Sequence, residues 1–268
     1  MSGYVISKIS GLFDGINGAF KGFLLPNGKE FLNAYPYILA QSGVPVGIAP
    51  NGTVATNGAI TLVTALPRIY SSGIWVYLPA GSVSGGAAGL YWCVMSSVTV
   101  GQVYTNFADT SQGFVPYIPT GTLVNAVGSN AAYTQITNTD IVIIAVTVPA
   151  NSLGLSGRYR DQVFYEFPNN ANGKIYKAQF GGYQFKVNNT TGVTSASIVG
   201  GFANKGVAGS QSSQTPPYST NGLGTSTTFG ADLSADTTIN NFVTYTANLA
   251  VASDYIIIEY LLSEVLPS

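Results

Sequence analysis

Between residues 148 and 182 hydrophobic and polar positions alternate with a period of two. Tyr159, Val163, Tyr165 and Phe167 fall on one side, with Arg158, Arg160, Gln162 and Glu166 on the other. That period marks a strand with one buried face. Asn169, Asn170, Asn172 and Gly173 then form a polar turn, and Tyr176, Ala178 and Phe180 share a face opposite Ile175, Lys177 and Gln179 before Gly181 and Gly182 break the run. Asn and Gly accept the positive φ angles of tight turns, so the stretch reads as a β-hairpin.

The same pattern organises most of the chain. From about residue 44 to 117, GTVATNGAITLVT, GIWVYLPAG, GLYWCVMSS and GQVYTNF read as strands separated by Gly, Pro, Ser and Asn clusters. Trp75 and Tyr77 face together, with Ile74 and Val76 opposite. From about residue 131, AAYTQIT, DIVIIAVTVP, the 158–180 pair, YQFKV, SASIVGGF, the TTINNFVTYTANL stretch and DYIIIEYLLSEVL supply about eight more strands. Eight antiparallel strands in such a length suit a jelly-roll-like sandwich. DIVIIAVTV and YIIIEYLL are apolar on both faces, so one face of each needs cover beyond the opposite sheet. A neighbouring subunit would provide it, which predicts a homo-oligomer with Ile256, Ile258, Tyr260 and Leu262 at its interface.

The first forty residues differ. Ile6, Ile9, Leu12, Phe13, Ile16, Phe20 and Phe23 recur at helical spacing, but Gly11, Gly15, Gly18 and Gly22 interrupt them at about 1 kcal/mol each. The segment reads either as an apolar arm ordered against a partner or as a segment packed on its own domain. LLPNGKEFL, with Asn27-Gly28 at its centre, reads as a small hairpin. The expected organisation is thus all-β, with an N-terminal anchoring arm over 1–43, a first β region over 44–118 and a C-terminal sandwich over 119–268.

Charged residues make up 8% of the chain, against about 25% in an average soluble domain. The net charge of -1 and the lack of any basic run argue against a nucleic-acid partner. Cys93 is the only cysteine, which excludes an intrachain disulfide and suits a reducing compartment. No apolar run is long enough to span a bilayer, and no signal peptide is expected at the N-terminus.

With no histidine, the His-dependent nucleophile arrangements and zinc sites are excluded. No phosphate-cradling glycine motif and no EF-hand loop is present. Among the 11 carboxylates, Asp161 and Glu166 are the most tempting glycosidase pair, but they stand five apart on one strand and point to opposite faces. Asp109, Asp140, Asp232, Asp236 and Asp254 read as solvated or turn positions, and Glu259, inside an apolar strand, calls for a basic or intersubunit partner. The aromatics Trp75, Tyr77, Tyr91 and Trp92 fit core packing or sugar stacking. No catalytic residue, cofactor or metal is expected.

TALPRIYSSGIWVYLPAG, AGLYWCVMSS with VGQVYTNF, VPANSLGLSGRYR, NGKIYKAQFGG and DYIIIEYLLSEVLPS follow one another over 53–268. In that order they resemble a module of tailed-bacteriophage virion proteins described as head fibre, decoration, tail fibre or structural proteins. The resemblance implies a β-sandwich, homo-oligomerisation (often trimeric) and a place on the virion surface after synthesis in the host cytoplasm. The expected partners are a major capsid protein or another virion protein, bound through the arm. The alternative is a tail fibre or adaptor whose loop over 205–220 grips a host surface glycan, and a depolymerase is a third reading resting only on carboxylates.

Overall fold

The structure is a computed structural model and describes residues 22–24, 30–32, 37–192, 194–213 and 232–267. Strands β1 (Gly22–Leu24) and β2 (Glu30–Leu32) pair antiparallel, with Phe23 opposite Phe31, as the hairpin reading of LLPNGKEFL expects. β3 (Tyr37–Ser42) opens the main body. It is followed by β4 (Val46–Ile48), β5 (Gly52–Val54), β6 (Ala59–Leu62), β7 (Ile74–Leu78), β8 (Gly89–Met95), β9 (Val100–Ala108) and β10 (Ala131–Tyr133). Then come β11 (Ile141–Val148), β12 (Arg158–Glu166), β13 (Lys174–Phe180), β14 (Tyr183–Thr190), β15 (Ser195–Asn204), β16 (Gln211–Ser213), β17 (Asp232–Leu233), β18 (Asn241–Leu249) and β19 (Ile256–Leu266). Among the described residues the helical content is one turn of 3-10 helix, Thr110–Gln112.

Eight of these strands build a jelly roll. One sheet runs β3-β19-β12-β15 and the other β11-β18-β13-β14, so the chain crosses between sheets as two Greek keys. The protein is all-β, as its alternating pattern predicts. The 158–180 stretch, however, is not a hairpin: β12 pairs with β15 and β19, while β13 lies in the opposite sheet between β14 and β18. Alternation reports that both strands bury one face in the same core, but it does not name their hydrogen-bonding neighbours. The hairpin here is β13–β14, turned by Gly181 and Gly182 at φ 54° and 86°, the positive angles that a tight two-residue turn needs.

The first β region is an insertion into this jelly roll. β3, within the stretch read as an arm, is a sandwich strand, and β10, read as the start of the sandwich, pairs with β5 of the first region. The inserted strands run β10-β5-β6-β9-β8-β7-β4 and join the jelly roll where β4 pairs with β19, making one continuous sheet. β19 therefore serves both parts: residues 256–258 pair with β4 and residues 261–265 with β3 along the same edge.

Each part has its own core. In the insertion Ile60, Ile74, Val76, Cys93, Met95 and Val103 gather with Tyr255 and Ile257. In the jelly roll Ile143, Val163, Tyr176, Phe180, Phe202 and Val243 gather with Ile256 and Ile258. Both faces of the first half of β19 are thus covered within one chain, and the second cover comes from the insertion instead of a neighbouring subunit. Trp75 and Trp92 sit between the two parts, with Trp75 edge-on to Trp92 at 5.5 Å and to Phe114 at 5.4 Å, and its Nε1 donating to Tyr117 O at 2.7 Å. Phe114 also exchanges two backbone hydrogen bonds with Ala145 of β11. Of the aromatic block Trp75, Tyr91 and Trp92 are buried and Tyr77 is half-buried against the core, which is the packing role.

Candidate functional site

β19 does not present its side chains as strict alternation predicts. Opposite β12 the register slips between Tyr260 and Ile258, leaving Glu259 as the extra residue of a bulge. A bulge exchanges the two faces of a strand beyond it. Ile256 and Ile258 therefore face the jelly-roll core, whereas Tyr260 and Leu262 turn to the outer face and are half-buried. The four residues read as one oligomer interface divide two and two. Of the expected arm residues, Ile6, Ile9, Leu12, Phe13, Ile16 and Phe20 lie outside the described residues, and Phe23 lies in β1.

The outer face of the β3-β19-β12-β15 sheet is laid out in rows by the strand register. Val199, Gln162, Leu262 and Gln41 form one row, and Gly201, Arg160, Glu264 and Ile38 the next. Arg160 pairs with Glu264 at 2.7 Å, and Gln41 Nε2 donates to Tyr260 Oη at 3.3 Å. Ile38 and Val199 are exposed. Gly200 and Gly201 leave a trough of about 180 Å³ beside Arg158, Arg160, Val199 and Leu266. The face is broad, mixed in polarity and short of net charge, which suits contact with another surface.

A second polar group lies at the seam where the insertion joins. Glu259, carried inward by the bulge, accepts hydrogen bonds from Arg68 and from the Tyr70 hydroxyl, both of the insertion. This is the basic partner that a carboxylate within an apolar strand calls for. Glu166 feels the same charges: its carboxyl is pushed above the usual range by burial and then by the Glu259 charge, with Arg68 offsetting part of the rise. Tyr255, next to it, is pushed up to about 12 by burial and the charges of Glu166 and Asp254.

A third group is sealed in the jelly-roll core. Alternation along β12 puts Asp161 between Tyr159 and Val163 on the buried side, and a bulge at Phe185 turns Lys186 of β14 inward from the opposite sheet. The Lys186 ammonium pairs with Asp161 Oδ1, and both side chains are wholly buried. Asp161 Oδ2 accepts from Tyr245 Oη at 2.9 Å, Tyr245 Oη lies 2.6 Å from Tyr159 Oη, and Tyr159 contacts Ser263 Oγ. Burial, and next the Asp161 charge, hold the phenols of Tyr159, Tyr176 and Tyr245 well above their ordinary value. Burial also lowers Lys186, against the opposing pull of Asp161.

Five further carboxylates have local structural partners. Asp109 and Asp236 accept backbone N–H groups of Ser111 and Thr238 at 2.9 Å, as turn residues do. Asp140 pairs with Lys177, Asp232 with Lys205, and the buried Asp254 accepts from Asn170. Asp161 and Glu166 do point to opposite faces. Among the described residues no cluster of three or more His, Cys, Asp or Glu is arranged to hold a metal ion, and no helix is long and apolar enough to cross a membrane. Of the loop read as a glycan site, residues 205–213 are described; the rest lies outside. No protein-family model matches the chain, and no curated protein matches it in sequence.

Proposed function

We propose that the chain is a non-enzymatic surface protein of a tailed-phage virion, a capsid decoration or head fibre protein. On this reading the N-terminal residues dock on the major capsid protein or another virion protein, and the jelly roll associates with copies of itself, as a trimer, through its outer sheet face. The observation that carries the reading is the eight-strand jelly roll with a second β region spliced between its first two strands. Double-sheet jelly rolls serve repeatedly as viral capsid domains. The outer face supports self-association, since it sets exposed Ile38 and Val199 and half-buried Leu262 among paired polar groups. Antibody labelling of intact particles, viewed by electron microscopy, tests the reading: label at regular positions on the head is expected, and unlabelled particles would refute it.

A second reading, a tail fibre or adaptor holding a host glycan, is favoured by the trough at Gly200-Gly201, where Arg158 lies beside the Arg160–Glu264 pair and offers a cation to an acidic sugar. Jelly rolls are lectin domains as well. Binding on a glycan array that disappears in Arg158→Ala, together with label on the tail, would select it over decoration.

A further inference from the structure

We propose that Lys186 and Asp161 condense into an intramolecular amide, a covalent tie between the two sheets of the jelly roll. The pair spans the core from β14 to β12, its nitrogen and carboxyl oxygen are already in contact, and neither side chain is exposed to solvent. In water such a condensation is opposed because both ions are well hydrated. Here that hydration is already lost, and a buried ion pair is a costly state that a neutral amide relieves.

The surroundings supply what the reaction needs. Proton transfer from the Lys186 ammonium to Asp161 Oδ1 gives a carboxyl and a neutral amine, the form of Lys186 that burial favours. The Nζ lone pair then attacks Cγ, forming the Cγ–Nζ bond and placing negative charge on Oδ2. Tyr245 Oη, which donates to Oδ2 at 2.9 Å, stabilises that charge as a preorganised donor. Tyr159, at 2.6 Å from Tyr245, and Ser263 hold the phenol in place. The Cγ–Oδ1 bond breaks, and Oδ1 leaves as water with the proton received first and a second one lost by Nζ. One amide and one water result, without oxidant, reductant or co-reactant. Holding the reactants in contact also removes the entropic barrier that a free amine and acid would face.

The test is the intact mass of the full-length protein, purified and then denatured. The proposal expects a mass short of the sequence mass by one water, and a tryptic digest in which residues 161–174 are joined to residues 178–205, because an acylated Lys186 is not cleaved. Lys186→Met should restore the mass expected from its own sequence, and Tyr245→Phe should leave a large fraction of molecules unlinked. Should Lys186→Met fail to fold, the wild-type digest decides alone. The full sequence mass, with a separate 178–186 peptide, would overturn the proposal and leave an ion pair.

Discussion

Arg68, from the loop between β6 and β7, pairs with Glu259 at the bulge of β19, fastening the inserted β region to the jelly roll at the point where β19 changes faces. The Glu259 side chain is 5% exposed and that of Arg68 56%. The pair is therefore screened from one side only, and its loss costs less than that of a sealed pair. Arg68→Ala should destabilise the fold by about 1–2 kcal/mol, and Tyr70→Phe by a similar amount, since each leaves Glu259 short of a donor. Urea unfolding of the two variants checks this; unchanged midpoints would show that the seam does not depend on Glu259.

The seam should also respond to pH through Glu166. Its folded-state pKa lies above the ordinary value of about 4.3, so the fold binds this proton more tightly than the unfolded chain does. The resulting stabilisation is complete below the ordinary value and is lost as pH rises through the folded one. Glu166→Gln should therefore be more stable than the wild type at neutral pH, with the difference vanishing in acid. Thermal unfolding of both proteins across that range measures it, and a gap that widens on acidification would contradict the assignment.

Gly47 of β4 lies so close to β19 that an added Cβ would stand 2.0 Å from Ile256 O and 2.8 Å from Ile257 Cα. Those neighbours are backbone and cannot swing aside. Gly47→Ala should part β4 from β19, cost about 1–3 kcal/mol or more, and open the seam to limited proteolysis before the jelly roll unfolds. An unaltered digestion pattern would count against β4 as the joint.

Trp75 is one of the two tryptophans between the two parts and is fully buried. Trp75→Ala should cost about 3–5 kcal/mol. Loss of the ring uncovers Trp92, the other of the two tryptophans, so the variant's remaining fluorescence should shift to the red. A stable variant with unshifted emission would mean that the two parts do not pack through this residue.

Period-two alternation shows which residues of β12 and β13 are buried, and the same parity puts Asp161 on the buried face, a signal that attention to apolar residues alone passes over. Strand partners are another matter. The two faces of a jelly roll share one core, so β12 and β13 carry the pattern of a hairpin while lying in different sheets. Bulges hide the rest: the one at Phe185 turns Lys186 inward, and the one at Glu259 separates Ile256 and Ile258 from Tyr260 and Leu262. Each slips the alternation by one residue at a place that nothing in the local sequence marks. Arg68, 191 residues from Glu259, sits in a loop without pattern, and only the folded chain brings the two together.

The proposed assembly role requires self-association through the face of Tyr260 and Leu262, and sedimentation of the purified full-length chain addresses it without a virion. A species of several chain masses at micromolar concentration, reduced to a single chain by Leu262→Asp with the melting temperature preserved, is the predicted result. A wild-type protein that sediments as one chain across the whole concentration range would contradict it.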